Sequence, residues 1–111
     1  MREDKERLID ILDAIDSIEK YASQGRQRFE GDELIQVWMA HHIQVIGEAA
    51  ARVSEETRKR RPEIPWAKIV GMRNILVHVY FRIDPDEVWA VVERDIPLLK
   101  EQIQAALDDM S

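Results

Sequence analysis

At 111 residues, with 45% hydrophobic and 34% charged content, the chain has the size and make-up of one globular domain spanning residues 1–111. Its formal net charge of -6 argues against holding nucleic acid by bulk electrostatics, and the absence of cysteine excludes disulfides, thiolate metal sites and a cysteine nucleophile. The charged opening from Met1 to Arg7 is no start for a signal peptide, and no apolar run reaches the roughly 20 residues of a membrane span, so a soluble cytoplasmic protein is expected.

Apolar residues at Leu8, Ile9, Ile11, Leu12, Ile15, Ile18 and Tyr21 recur at spacings of three and four and predict an amphipathic helix from Lys5 to about Ser23. Gln24 to Gly31 is polar, carries two glycines and reads as a loop. Asp32 then suits the N-cap of a second helix, whose inward face comprises Leu34, Ile35, Trp38, His42, Val45, Ile46, Ala49, Ala50 and Val53. The small residues Gly47, Ala49, Ala50 and Ala51 would admit a close neighbour. Ser54 to Thr57 starts a short further turn that ends near Pro62.

Pro62 to Trp66 reads as an extended connector, because residues before proline avoid the α region. Pro65 suits the first position of a third long helix, running from about Trp66 to Tyr80 or Phe81. Asp84, Pro85, Asp86 and Glu87 form a compact start signal for the last helix, which runs to about Asp108. Pro97 lies inside it and predicts a kink there, with the clash one turn back near Glu93. No long segment alternates in strand fashion. The expected fold is therefore all-α, an antiparallel four-to-five-helix bundle with short connections.

Chemistry concentrates in residues 73–81, which read R-N-I-L-V-H-V-Y-F. With Arg73 at zero and about 100° per residue, Ile75, Val79, Met72 and Leu76 fall between roughly 200° and 300° and form one apolar stripe. Asn74 and His78 fall at roughly 100° and 140°, and Tyr80 returns to about 340°, above Arg73. The polar groups share the face opposite the core. Val77, near 40° on that wheel, sits in the middle of the polar face and suggests that something covers this face, a partner subunit being one candidate. A polar outer face is ordinary for a soluble helix, and a histidine near a helix C-terminus also interacts well with the dipole, so periodicity alone leaves structure and function both open.

Arg73, four residues, His78, one residue and Tyr80 match the R-x4-H-x-Y motif of HEPN-domain proteins, and the chain resembles their HepT-like toxins. Asn74 fits the polar residue that follows the arginine. Ile64-Pro65-Trp66 and Gly71-Met72 lead into the motif as in that branch, and Phe81 and Asp84 follow it. Ile46-Gly47-Glu48-Ala49 is similar to the family's second-helix signature, and Asp95-Ile96-Pro97 to its last-helix element. The resemblance covers nearly the whole chain.

It implies a homodimeric, metal-independent endoribonuclease that calls for no cofactor, with the two motif helices facing each other across a composite cleft. It also implies a small MNT-type nucleotidyltransferase antitoxin that adds AMP to the motif tyrosine, here Tyr80. Arg73, Asn74 and His78 are then the expected catalytic set. Histidine titrates near neutral pH and serves as base or acid, while arginine offers a fixed planar charge to phosphate. The rival reading is a non-catalytic HEPN nucleotide-binding protein or partner subunit of such a nucleotidyltransferase. A dimeric structural bundle is the plainer third.

Outside the motif, Arg58, Lys59, Arg60 and Arg61 form a basic run, but such a run between helices is ordinarily solvated. His41 and His42 diverge by about 100° on a helix and suit packing better than a shared ion. Glu48 reads as a solvated acid, or else as a group supporting Arg73 or His78 from behind. Trp38, Trp66 and Trp89 are expected core or interface anchors.

Overall fold

The computed structural model describes residues 2–74 and 84–110, and every regular element among them is helical. The first helix, α1 (Arg2–Ala22), carries Glu3 and Asp4 in its first turn, where acids complement the helix dipole. Leu8, Ile11, Ala14, Ile15 and Ile18 are buried along one stripe. Ile9, expected on that stripe, is exposed, since its position lies a quarter-turn away from Leu8.

Residues 24–31 are not the loop expected from their polarity. Gly25, at φ 91°, turns the chain in a left-handed conformation that glycine adopts without strain, and a short helix α2 (Arg26–Glu30) follows. Arg26 Nε pairs with Glu30 Oε1 at 2.8 Å across one turn. Phe29 is the anchor: it is 1% exposed, with its ring 5.1 Å from that of Trp89.

The second long helix, α3 (Glu33–Ala51), begins as predicted. The Asp32 carboxylate accepts from the backbone N–H groups of Leu34 (2.9 Å) and Ile35 (3.3 Å). Its buried side includes Ile35, Met39, Ile43, Ile46, Gly47 and Ala50. Two expected members do not belong there: Leu34 is 80% exposed and Trp38 37% exposed. Trp38 lies over α1 instead, donating from Nε1 to the Ser17 carbonyl at 2.8 Å.

Ser54 caps α4 (Glu55–Arg60), its hydroxyl accepting from the Thr57 N–H at 3.3 Å. The segment from Pro62 to Trp66 is a turn rather than an extended connector. The Ile64 N–H bonds to the Arg61 carbonyl at 3.2 Å, and Trp66 Nε1 donates to the same carbonyl at 3.0 Å. Pro65 sits at the N-cap of α5 (Trp66–Gly71), which tightens into a 3₁₀ turn over Met72–Asn74. The predicted continuation to Tyr80 or Phe81 lies outside the described residues.

Asp84 caps α6 (Pro85–Ala90), accepting from Asp86 N–H (3.0 Å) and Glu87 N–H (3.3 Å). A π turn over Val91–Asp95 then joins it to α7 (Ile96–Asp109). Pro97 explains the π turn: proline has no N–H to bond the Glu93 carbonyl, and its ring clashes with that oxygen in a regular helix. Helix α1 packs on α3 and α7, while α3 packs on α5 and its 3₁₀ turn. One buried cluster runs through all of them, from Leu8 and Ile15 through Ile43 and Ile46 to Ile69, Ile96 and Ile103. Full burial of each such side chain contributes about 1.5–3 kcal/mol. Among the described residues, no helix is long and apolar enough to cross a membrane.

Candidate active site

Arg73 and Asn74 occupy the 3₁₀ turn at the end of α5. Buried Ile69 and Met72 tie this turn to the core, which leaves Arg73 partly buried and Asn74 exposed. The turn is seated on α3 at Gly47. A Cβ built on Gly47 would lie 2.5 Å from the Arg73 backbone nitrogen, 2.9 Å from its Cβ and 3.0 Å from its Cα. Only a hydrogen fits there. The small residues of α3 predicted a close neighbour, and that neighbour is the backbone of Arg73. His78 and Tyr80, with Val77 and Val79, lie outside the described residues.

Glu48 stands on the next position of α3 and faces elsewhere. It is exposed and lines a cavity of about 590 Å³ between α1 and α3, together with Arg7, Asp10, Asp13, His41, His42 and Arg52. Among the described residues no salt bridge joins it to Arg73.

The two histidines separate by role. His41 is exposed, whereas His42 is partly buried with its ring 4.5 Å from Trp38, and Trp38 in turn meets Tyr21 at 5.6 Å. His42 Nε2 is buried and finds no hydrogen-bond partner among the described residues. Burial, and secondarily the neighbouring His41, lowers the His42 pKa from its ordinary 6.5. It packs, as its spacing from Trp38 predicted. Among the described residues, no three His, Cys, Asp or Glu side chains converge as metal ligands would.

The basic run is built into the bundle. Arg58 Nη2 donates to the Ala50 carbonyl at 2.9 Å, and Arg60 pairs with Glu56 at 2.8 Å. Arg61 joins Glu63 and Asp109 and donates to the Ala105 carbonyl at 3.1 Å. Arg58 thus ties α4 to α3 and Arg61 ties its end to α7, while the Arg60 pair stays exposed within α4.

A family model described as ribonuclease HepT-like matches residues 11–106, from the middle of α1 nearly to the end of α7. The chain belongs to the HepT-like family of HEPN proteins. Similar proteins include a provisionally named RNase of Methanocaldococcus jannaschii, 31% identical over 93% of this chain and 95% of that one. A provisionally named ribonuclease HepT of Thermococcus cleftensis is 34% identical over 93% and 94%. A longer M. jannaschii protein, named for gamma-glutamylcyclotransferase and RNase, is 36% identical over 99% of this chain and 50% of its own length. No solved structure matches.

In this HepT-like chain the motif thus begins on a turn clamped to the second long helix. Spacing alone gave no sign of that turn, because a wheel drawn at a constant 100° treats Met72–Asn74 as regular α-helix.

Proposed function

We propose that this HepT-like protein is a metal-independent endoribonuclease toxin, cytoplasmic and active as a homodimer whose motif helices form a composite cleft. The observation that carries the reading is the seating of Arg73, first residue of R-x4-H-x-Y, on a turn fixed against Gly47, in a chain that the ribonuclease HepT-like model matches over residues 11–106. A backbone held at a defined place lets the arginine it carries be aimed at a phosphodiester transition state.

Cleavage needs no metal when the RNA's own 2′-hydroxyl is the nucleophile. One His78 takes the 2′-hydroxyl proton, and the 2′-oxygen attacks the adjacent phosphorus. The P–O bond to the 5′-oxygen breaks, and the second His78 of the dimer protonates that oxygen. Arg73 neutralises the crowded phosphate, and Asn74 orients the imidazole or donates to a phosphate oxygen. The partner that restrains this activity is an MNT-type nucleotidyltransferase antitoxin. The Tyr80 hydroxyl attacks the α-phosphorus of ATP, AMP stays on the tyrosine, and pyrophosphate leaves. A bulky anion then stands in the cleft opposite Arg73.

The test is cleavage of RNA by the purified protein in excess chelator. His78→Ala is expected to lose about 10²- to 10⁴-fold in rate, and Arg73→Ala about 10²- to 10³-fold. Equal cleavage by wild type and His78→Ala would sink the reading. Mass spectrometry of protein made with the antitoxin should find one AMP on Tyr80. The net charge of -6 favours a second reading, a non-catalytic nucleotide-binding HEPN subunit of the nucleotidyltransferase. It predicts no cleavage and no growth arrest on expression, with or without His78.

A further inference from the structure

We propose that Gly47 is the positioning residue for Arg73: its missing side chain sets where the motif arginine stands. The inference rests on the ribonuclease reading and adds a residue to its machinery that touches no RNA.

The contact is backbone against backbone. The three atoms of Arg73 nearest a Gly47 Cβ are N, Cβ and Cα, at 2.5, 2.9 and 3.0 Å. None is the tip of a flexible side chain that can swing aside. Ordinary carbon contacts are about 3.5–4.0 Å, so any side chain at position 47 drives the turn from α3 by roughly an ångström. Neither partner yields easily. Gly47 is buried in the middle of α3, between buried Ile46 and buried Ala49 and Ala50. The turn is pinned from behind by buried Ile69 and Met72. Displacement therefore falls on Arg73 itself.

The second element of the device is the 3₁₀ turn. Three residues per turn instead of 3.6 advance each residue by about 20° more than an α-helix does. Met72–Asn74 thereby rotates Arg73 relative to α5, and Gly47 is the surface against which that rotation stops. A phosphate-binding guanidinium is sensitive to such placement, because a misplacement of about 1 Å costs on the order of 10²-fold in rate.

Gly71 supplies an internal control. It ends α5 two residues before Arg73, is exposed, and a Cβ built there meets nothing within 4 Å. Glycine to alanine at 71 and at 47 is the same chemical change, once into open space and once into the Arg73 backbone.

The experiment is a double-mutant cycle on the full-length dimer, free of antitoxin, reading kcat and KM for RNA cleavage alongside thermal unfolding. Gly71→Ala should cleave within about twofold of wild type, whereas Gly47→Ala should lose about 10- to 100-fold, mainly in kcat. In an Arg73→Ala background the Gly47→Ala change should cost less than about threefold, because the guanidinium that the displaced backbone carries is gone. Equal losses in both backgrounds, or full activity of Gly47→Ala, overturn the positioning role while leaving the ribonuclease reading intact. So does a Gly47→Ala chain that fails to fold, which would make Gly47 a determinant of the fold rather than of Arg73. A wild type that cleaves no RNA overturns the ribonuclease reading and this inference with it.

Discussion

The carboxylate of Asp4 accepts both the backbone N–H and the hydroxyl of Ser54, at 3.0 and 2.5 Å, and so joins the first turn of α1 to the cap of α4. The Thr57 hydroxyl adds a third bond to the same carboxylate at 2.5 Å. Asp4 is 2% exposed and Thr57 is buried as well. Removing the carboxylate leaves the buried Thr57 hydroxyl and the partly buried Ser54 hydroxyl and N–H without their acceptor. Asp4→Ala should therefore destabilise the fold by about 2–4 kcal/mol, since hydrogen bonds to a charged group contribute about 1.5–3 and orphaned buried donors cost more. Urea unfolding checks this; a loss under about 1 kcal/mol would mean that water replaces the carboxylate.

The same carboxylate makes stability depend on acid. Burial alone would raise the Asp4 pKa, but the bonds from the Ser54 and Thr57 hydroxyls and the Ser54 N–H together bring it below its ordinary 3.8. A carboxylate with a lowered folded pKa contributes stability that is fully present above the unfolded value and lost as pH falls through the folded one. The stability gap between wild type and Asp4→Asn should accordingly hold steady above about pH 5 and close below about pH 3.8. Denaturant midpoints across that range provide the measurement, and a gap that widens on acidification would reverse the sign.

What the sequence could and could not reveal divides along physical lines. Asp32 and Asp84 were legible because an N-cap needs only its own carboxylate and the N–H groups two and three residues on. Pro97 was legible because its missing N–H acts on a fixed neighbour, and the π turn lies over Glu93. The helix α2 was not, because its one strong anchor is a tertiary contact between Phe29 and Trp89. The turn at Pro62–Trp66 was hidden for a local reason: two bonds to one carbonyl close it, from the Ile64 N–H and the Trp66 indole to Arg61, and the rule that residues before proline are extended takes no account of them. At the candidate site, the residue types of the motif were visible from spacing. The dependence of Arg73 on Gly47 was visible only as a run of small residues, since which backbone meets that run is decided by the packing of α5 on α3.

Phe29 measures how much α2 contributes. It is 1% exposed and packs on Trp89, so truncating it leaves a cavity that the short helix is poorly able to fill. Phe29→Ala should cost about 3–5 kcal/mol, a large share of the stability of a domain this size. The thermal midpoint of the purified protein reports it. A loss below about 1 kcal/mol would show α2 to be detached from the core in solution.

The two neighbouring residues at the start of α3 separate burial from mere hydrophobicity. Leu34 and Ile35 are both aliphatic, yet Leu34 is 80% exposed and Ile35 is buried. Leu34→Ala should change stability by less than about 0.5 kcal/mol, and Ile35→Ala should cost about 2–5. Urea titrations of the two variants decide it. Comparable losses from both would mean that Leu34 is covered in solution, as a subunit interface on this end of α3 would cover it.

His42 closes the set, with the opposite chemistry to Asp4 and the same pH sign. Its ring lies against Trp38, its Nε2 is buried without a partner among the described residues, and burial followed by the neighbouring His41 lowers its pKa from the ordinary 6.5. Below pH 6.5 the unfolded chain takes up a proton that the folded ring resists, so stability falls as pH drops from there toward the folded pKa. His42→Phe keeps an aromatic ring against Trp38 and removes the titration. Relative to wild type, that variant should show a constant offset above about pH 7 and gain stability as pH is lowered from about 6.5 to 5. Parallel unfolding curves at several pH values in this window test it. A constant offset between the two proteins would show that His42 is free to take a proton in the folded state, with its Nε2 open to water or to the acids that line the same cavity.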